Sequence, residues 1–480
     1  MLRKFLKDST IYGISGFLTK GVALLLIPFY TRVLAPAEYG IMDFIAVVAY
    51  FAGVFLSLEI YQAIARFYLD FENQEKRVKS VSTGLLYTTA SFTFFVVIVF
   101  IFSKYFSVLL FNAESYSLIL KVASVNMLFA TLYAYTQNVL RYNLKALEYV
   151  ICSLINSFLS IGFSVFLVLF LKLGVVGIFC GQLIGNLISL FFTLYYGRAN
   201  YGFVFDKLSL KFLLVFSIPL VPSSLGVYVL SFVDRFLIKH YINLSDLGIY
   251  GLGYRIASIS SVIMLALNTA STPLIYANYK NENTPAQLSR LFQLVVFGAL
   301  TITLAISVFA KEILIIFTTP EYYGATVVIP FLVAAGFLSK LYDYTPGLYI
   351  TKKTKTIAII YISGAVFNVG LNLFLIPITG ILGAAVSSIA AALFVFLINL
   401  YYSQKLYYIP FKTRVIIISC ISTTAFIIIS YFINFDNIYL NIGLKIIIVL
   451  FAILILFKIR LVDFKNIYSF ISPLILRKFN

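Results

Sequence analysis

Apolar stretches of about twenty residues follow one another from one end of this chain to the other, separated by short polar joints. At a rise of about 1.5 Å per helical residue, such a stretch crosses a bilayer core of roughly 30 Å. Because lipid offers no hydrogen-bond partner to backbone amides, each stretch must be helical. Hydrophobic residues make up 61% of the 480 residues and charged residues 11%. The sequence therefore predicts an all-α polytopic membrane protein.

The hydropathy pattern predicts about fourteen transmembrane helices. Their approximate limits are 9–33, 41–65, 81–103, 117–140, 150–171, 175–196, 212–233, 247–273, 288–309, 325–350, 356–376, 380–402, 414–433 and 440–458. The first stretch is too long for the core of a signal peptide and lacks a small-residue cleavage site. We therefore expect it to remain in the mature protein.

The formal net charge of +18 would suit a nucleic-acid-binding protein, but the placement of the charge argues against that function. Most of the 36 Lys and Arg residues fall in the two tails and in alternate joints. This asymmetry follows the positive-inside rule and predicts that both termini are cytoplasmic. The joints are too short to hold a soluble domain, so we expect no nucleic-acid partner.

Residues that carry enzyme chemistry are scarce. Cys152, Cys180 and Cys420 fall in predicted spans without paired spacing, which is typical of small apolar residues rather than disulfides or metal ligands. His240 is the single histidine, which argues against a Ser-His-Asp triad or a His-rich metal site. The sequence has no G-x-x-x-x-G-K-[ST] motif. We expect no cofactor, no metal and no enzyme activity, and a transport process driven by an ion gradient or the membrane potential.

The second half of the chain echoes the first. LGVVGIFCGQL near 174 and TGILGAAVSSI near 380 align so that Gly174 and Gly177 fall on Gly380 and Gly383. The same offset carries the Tyr-Tyr pair that ends the sixth span onto the pair that ends the twelfth. Internal repeats of this kind are typical of transporters.

Each repeat contains six spans, an even number, so both repeats begin on the same side of the membrane. We therefore predict two parallel six-helix lobes, at 1–205 and 206–410, with a central cavity between them and alternating access to it. Helices 13 and 14, with a cytoplasmic tail, form an appendage at 411–480.

Four cations at membrane depth are candidate contacts for an anionic substrate. An ionisable residue at the bilayer centre costs about 2.5–3.5 kcal/mol on insertion scales and usually marks a cavity or pathway. Lys20 in the first span and Arg255 in the eighth have no evident partner in their own helices, so we expect both to line a polar cavity that attracts phosphate or pyrophosphate. Arg66 and Lys340 are further candidates. Arg66 could instead be a charge at the inner end of span two, and Lys340 could form a structural pair with Asp343.

Three carboxylates are candidate proton or sodium sites. Glu59 lies towards the inner end of span two, Asp43 near the start of the same span, and Asp343 in span ten. A structural role for each of them remains an equal alternative.

Three segments resemble the polysaccharide flippases of the multidrug/oligosaccharidyl-lipid/polysaccharide exporter superfamily. They are FLTKGVALLLIPFYTRVLAPAEYGI at 17–41, GIYGLGYRIASI around Arg255, and LYITKKTKTIAIIYISGAVFNVGLNLFLIPITGILGAAVSSIAAALF at 348–394. The resemblance implies two six-helix lobes with two peripheral helices. It also implies that Lys20 and Arg255 occupy positions of cavity cations.

The substrate implied by this resemblance is an oligosaccharide repeat unit linked to undecaprenyl pyrophosphate. Such a flippase moves it from the inner to the outer leaflet of the bacterial cytoplasmic membrane, for O-antigen, capsule or a related surface polysaccharide. Its partners would be membrane lipids, H⁺ or Na⁺, glycosyltransferases and a polysaccharide polymerase. Leu26 and Ile27 stand where the lipid II branch carries an Arg-Asp pair, which argues against lipid II as the substrate.

Three other functions remain open. A multidrug transporter of the same superfamily would favour carboxylates over Lys and Arg in its cavity, and a lipid II transporter shares the expected fold. A membrane glycan polymerase would need a large external loop with acid-base residues, which this chain does not provide.

Overall fold

Helices make up nearly all of this protein. The computed structural model describes residues 21, 26–71, 73–433 and 438–462, and no strand occurs among them. The helices are, in chain order, α1 Ile27–Val33, α2 Pro36–Ser57, α3 Ile60–Phe67, α4 Gln74–Phe111, α5 Ser117–Tyr142, α6 Ala146–Leu169, α7 Gly174–Gly197, α8 Lys207–Ser217, α9 Val221–Tyr241, α10 Leu244–Ala257, α11 Ile259–Asn278, α12 Thr284–Val308, α13 Ala310–Phe317, α14 Ile329–Leu341, α15 Gly347–Ile350, α16 Thr354–Thr379, α17 Ile381–Leu406, α18 Thr413–Tyr431 and α19 Ile438–Lys458. Short 3₁₀ turns at Glu114–Tyr116, Arg198–Asn200, Ile218–Leu220, Pro320–Val327 and Tyr342–Tyr344 join some of them.

Twelve helical segments among the described residues are long and apolar enough to cross a membrane. A thirteenth is added if Pro320–Val327 and Ile329–Tyr344, which meet at a bend of 52°, count as one span. These segments correspond in order to the second to fourteenth predicted spans, whereas most of the predicted first span, 9–33, lies outside the described residues. The all-helical membrane fold is therefore confirmed, and the count of fourteen is approximate.

The second span is broken where the sequence predicts one continuous helix over 41–65. α2 ends at Ser57, and Leu58 and Glu59 have left-handed backbones with φ of 43° and 57°. α3 then begins at Ile60. The prediction of an unbroken helix here is wrong. Because neither residue at the break is glycine or proline, no local signal marks it.

The chain divides into two compact units, residues 1–251 and 252–480. The boundary falls within α10. The lobe limits drawn from the repeat, 1–205, 206–410 and 411–480, are not tested by this division and stay a prediction.

Small residues bring α6 and α7 of the first unit close together. A Cβ atom on Gly181 would meet the backbone of Ser164, and a Cβ atom on Gly185 would meet Ser160. The spacing of the two glycines is the G-x-x-x-G pattern, which lets membrane helices approach closely where the hydrophobic effect offers no driving force. This contact holds α7 in place, and α7 carries part of the site described below.

A buried ion pair fastens α19 to α13 in the second unit. Lys445 Nζ lies 2.6 Å from Glu312 Oε1, and Asn441 Nδ2 donates to the same oxygen at 3.0 Å. The side chains of Glu312 and Lys445 are 7% and 6% exposed. Lys445 lies in a largely apolar helix. Its partner lies 133 residues away in the chain.

Candidate functional site

The first unit contains a cavity of about 440 Å³. Its walls come from α2, α3, α4, α5 and α7, and most of the lining side chains are apolar, among them Phe92, Met127 and Phe179. Several polar side chains join them, including Glu59, Asn126 and Gln182. An apolar pocket with a few placed polar groups is the usual form of a small-molecule site.

Glu59 reaches this cavity because of the break in span two. Its own backbone is left-handed, and its amide donates to Ser57 Oγ at 3.3 Å. The residue is 3% exposed, and Gln62 Nε2 donates to Glu59 Oε2 at 2.5 Å. A non-glycine residue in this conformation costs about 1–3 kcal/mol, and such strain is concentrated at functional sites. The break therefore places a buried carboxylate against the cavity.

A chain of amide side chains crosses α5, α6 and α7 beside the cavity. Asn156 Nδ2 donates to Asn186 Oδ1 at 2.9 Å, and Asn186 Nδ2 donates to Asn126 Oδ1 at 2.9 Å. Asn126 Nδ2 then donates to Gln182 Oε1 at 3.1 Å. Asn126 and Gln182 both line the cavity. None of these four residues was predicted from the sequence, although three asparagines and a glutamine within apolar stretches were a usable signal.

Glu59 is the one charged residue that lines this cavity in the described part of the chain. A buried carboxylate opposes the binding of phosphate and favours hydroxyl groups, amines or cations.

A second polar cluster lies on α2, α9 and α10 of the first unit. Arg235 Nε donates to Asp43 Oδ2 at 2.8 Å, and Arg235 Nη1 lies 3.3 Å from Asp234 Oδ1. The hydroxyl of Tyr250 donates to Asp234 Oδ2. The side chain of Arg235 is only 2% exposed. Arg235 lies inside α9, in an apolar stretch that contains an Asp-Arg doublet.

The four candidate cations differ in burial and in their partners. Lys20 is outside the described residues. Arg255, in the last turn of α10, belongs to the second unit and is half-buried. Arg66 is exposed and pairs with Asp70 at 2.5 Å, and Lys340 is exposed near the end of α14. Their assignment to a substrate cavity is not tested by this geometry and is taken up below as a proposal.

Asp343 lies in the 3₁₀ turn that follows α14. Its carboxylate accepts a hydrogen bond from Asn268. α14 ends at Leu341, so the i, i+3 spacing of an α-helix does not apply to Lys340 and Asp343. A small pocket of about 40 Å³, lined in part by Tyr276 and Tyr349, adjoins Asp343.

Two family descriptions match this sequence. Residues 5–279 match the family described as polysaccharide biosynthesis protein, and residues 219–374 match the family described as MatE. A Haemophilus influenzae protein of the Lsg locus is 25% identical over 402 residues, which cover 79% of this chain and 95% of that protein.

Solved structures share the fold. The lipid II flippase MurJ in an inward closed conformation aligns with a TM-score of 0.75 at 16% identity, over 97% of this chain and 100% of that one. An inward-facing multidrug resistance MATE family transporter of the MOP superfamily aligns with a TM-score of 0.64 at 16% identity, over 81% and 95%. At these identities the likeness establishes the fold and leaves the substrate open.

Proposed function

Because the chain belongs to the polysaccharide biosynthesis protein family, within the multidrug/oligosaccharidyl-lipid/polysaccharide exporter superfamily, we propose that it is a flippase for lipid-linked oligosaccharides. The cargo is an oligosaccharide repeat unit on undecaprenyl pyrophosphate, destined for O-antigen, capsule or a related surface polysaccharide. The protein acts as a transporter and not as an enzyme. It lies in the bacterial cytoplasmic membrane with both termini in the cytoplasm.

The observation that carries this proposal is a cavity with amide and carboxylate groups inside helices long enough to span a membrane. A sugar headgroup that enters hydrocarbon loses its hydrogen bonds to water, at a cost of roughly 2–7 kcal/mol for each unpaired polar group. Polar groups held at membrane depth replace those bonds. Access that alternates between the two leaflets then moves the headgroup while the prenyl tail stays in lipid.

Cations bind the pyrophosphate in this scheme. Lys20 and Arg255 hold it by charge-assisted hydrogen bonds. Arg66 and Lys340, both exposed, contact it as it approaches, because long cationic side chains extend from helix ends.

A proton or sodium gradient supplies the energy through Glu59, Asp343 or Asp43. Glu59 is supported by its burial against the cavity, and Asp343 by its hydrogen bond to Asn268. Asp43 is supported by its salt bridge to the buried Arg235. Glycosyltransferases act before the transport step, and a polymerase acts after it.

The test is transport by the full-length protein in proteoliposomes that contain a lipid-linked oligosaccharide. The measured quantity is the fraction of headgroups cleaved by an external glycosidase. We expect Lys20→Ala and Arg255→Ala to abolish transport while the protein still inserts, and Lys104→Ala, an exposed lysine at 76% exposure, to leave it intact. Transport at the native rate by both cavity variants would refute the role of these cations.

Multidrug transport is the second candidate function. The single carboxylate of the cavity and the MatE match over residues 219–374 favour it. Saturable transport of an organic cation, with no transport of lipid-linked oligosaccharide, would replace the flippase assignment. Transport of lipid II in place of other lipid-linked glycans would narrow the assignment to that substrate.

A further inference from the structure

We infer that the cavity of the first unit is a saccharide subsite, which holds an uncharged sugar ring between the amide of Gln182 and the carboxylate of Glu59. This inference rests on the proposed flippase function and adds to it where the sugar binds. The pyrophosphate of the same substrate binds elsewhere.

The direction of the amide chain makes Gln182 a hydrogen-bond donor. Each amide nitrogen in the series Asn156, Asn186 and Asn126 donates to the carbonyl oxygen of the next side chain. The series ends at Gln182, whose oxygen accepts from Asn126. The Nε2 group of Gln182 has no acceptor among the described residues and lines the cavity. Linked hydrogen bonds polarise one another, so this terminal donor is stronger and better oriented than that of an isolated glutamine.

Glu59 supplies the complementary acceptor. Gln62 donates to one of its oxygens, and a carboxylate has about four lone-pair sites, so further donors find room. The left-handed backbone at Leu58 and Glu59 fixes the carboxylate at the wall of the cavity. A bond to a charged acceptor is roughly twice as strong as a neutral one.

The shape and lining of the cavity suit a sugar ring. A hydroxyl group both donates and accepts, so a ring with several hydroxyls needs a donor and an acceptor in one site. Its C–H faces need apolar contact, which Phe92, Phe179 and Met127 provide. The volume of about 440 Å³ is within the usual range of ligand sites, about 300–1,000 Å³.

The charge of the cavity excludes the other part of the substrate. No Lys or Arg of the described residues lines it, and Glu59 would repel a pyrophosphate. The two chemistries of the headgroup are therefore recognised in separate places.

The decisive variant is Gln182→Glu, because the new carboxylate still accepts from Asn126 but has lost the donor. The matched control is Gln287→Glu, the same change at an exposed position of α12. In the proteoliposome assay we expect Gln182→Glu to raise the KM for lipid-linked oligosaccharide about 10-fold, which corresponds to one lost hydrogen bond of about 1.4 kcal/mol. The KM for undecaprenyl pyrophosphate without sugar should not change, and Gln287→Glu should behave as native for both. Glu59→Gln should also raise the KM for lipid-linked oligosaccharide, since it keeps the shape and removes the charge.

An equal rise of the KM for both substrates in Gln182→Glu would overturn the subsite, as would a native KM for the oligosaccharide. Stronger binding of tetraphenylphosphonium by Gln182→Glu, with sugar-independent transport, would make the cavity a cation site instead. If the native protein moves lipid-linked oligosaccharide in any of these cases, the flippase function stands and the subsite alone is lost. If the native protein does not transport lipid-linked oligosaccharide at all, the proposed flippase function itself is refuted.

Discussion

Arg235 donates from its Nε to Oδ2 of Asp43 at 2.8 Å, and this bond joins α9 to α2. The same guanidinium faces Asp234, so one cation neutralises two carboxylates. Tyr250 completes the cluster by donating to Asp234. Asp43 is thus held in a buried polar cluster, which adds a structural role to its proposed part in ion coupling.

Removal of Arg235 should destabilise the protein strongly. Arg235→Ala leaves the carboxylates of Asp43 and Asp234 without their cation, and the loss of one partner from a buried pair typically costs about 3–5 kcal/mol. The measurement is the free energy of unfolding in mixed detergent micelles. Lys79→Ala, which breaks the exposed pair with Glu75, is the control and should stay close to native. Equal stability of the two variants would contradict this account of the cluster.

Glycine substitutions in α6 and α7 should have opposite effects. Gly185→Ala forces a Cβ into Ser160 of the neighbouring helix, which should destabilise by about 1–3 kcal/mol. Gly162→Ala, where nothing lies within 4 Å of the added atom, should stabilise by about 0.5–1 kcal/mol because alanine favours the helix. The melting temperatures of the two variants should lie on either side of the native value. A stabilised Gly185→Ala variant would show that the two helices do not meet as described.

The break in span two predicts that the order of stability of alanine and glycine variants is opposite at two nearby leucines. At Leu58, whose φ is 43°, glycine should be more stable than alanine by about 1 kcal/mol, because the left-handed backbone penalises a Cβ. At Leu56, inside α2, alanine should be more stable than glycine by about 1 kcal/mol. Both variants at a site lose the leucine side chain, so the difference in their free energies of unfolding reports mainly the backbone preference. The same preference at both positions would mean that the helix runs on through Glu59.

The contact between α13 and α19 should depend on both of its charges. Glu312→Leu leaves Lys445 buried without a partner and should cost about 3–5 kcal/mol. Adding Lys445→Met to that variant should restore most of the stability, because an apolar pair of similar volume often replaces a buried ion pair without loss. Unfolding of the two single variants and the double variant gives the coupling energy. Additive losses would argue against a direct interaction.

The sequence predicted those features that depend on local composition. A stretch of apolar residues must be a membrane helix wherever it packs, so twelve of the predicted spans recur in order among the described residues, or thirteen if the bent pair counts as one span. Tertiary contacts were beyond such reasoning: Arg235 and Asp43 are 192 residues apart, so neither reveals the other.

The break at Leu58 and Glu59 was hidden for a different reason. Neither residue favours a left-handed backbone, so propensity predicts a continuous helix there and the surrounding packing overrides it. The amide series from Asn156 to Gln182 was not predicted, because the connection of these side chains depends on the packing of three helices together.

The anchorage of α19 also bears on how the protein is made. Lys445 belongs to the last predicted span, so the ribosome delivers it after Glu312 has already been made. A lone lysine in hydrocarbon is costly, whereas one that meets a waiting carboxylate is not. We expect α19 to pack stably only if α13 is correctly folded. In a chain misfolded near Glu312, Lys445 would stay unpaired, and quality-control proteases can recognise such a charge.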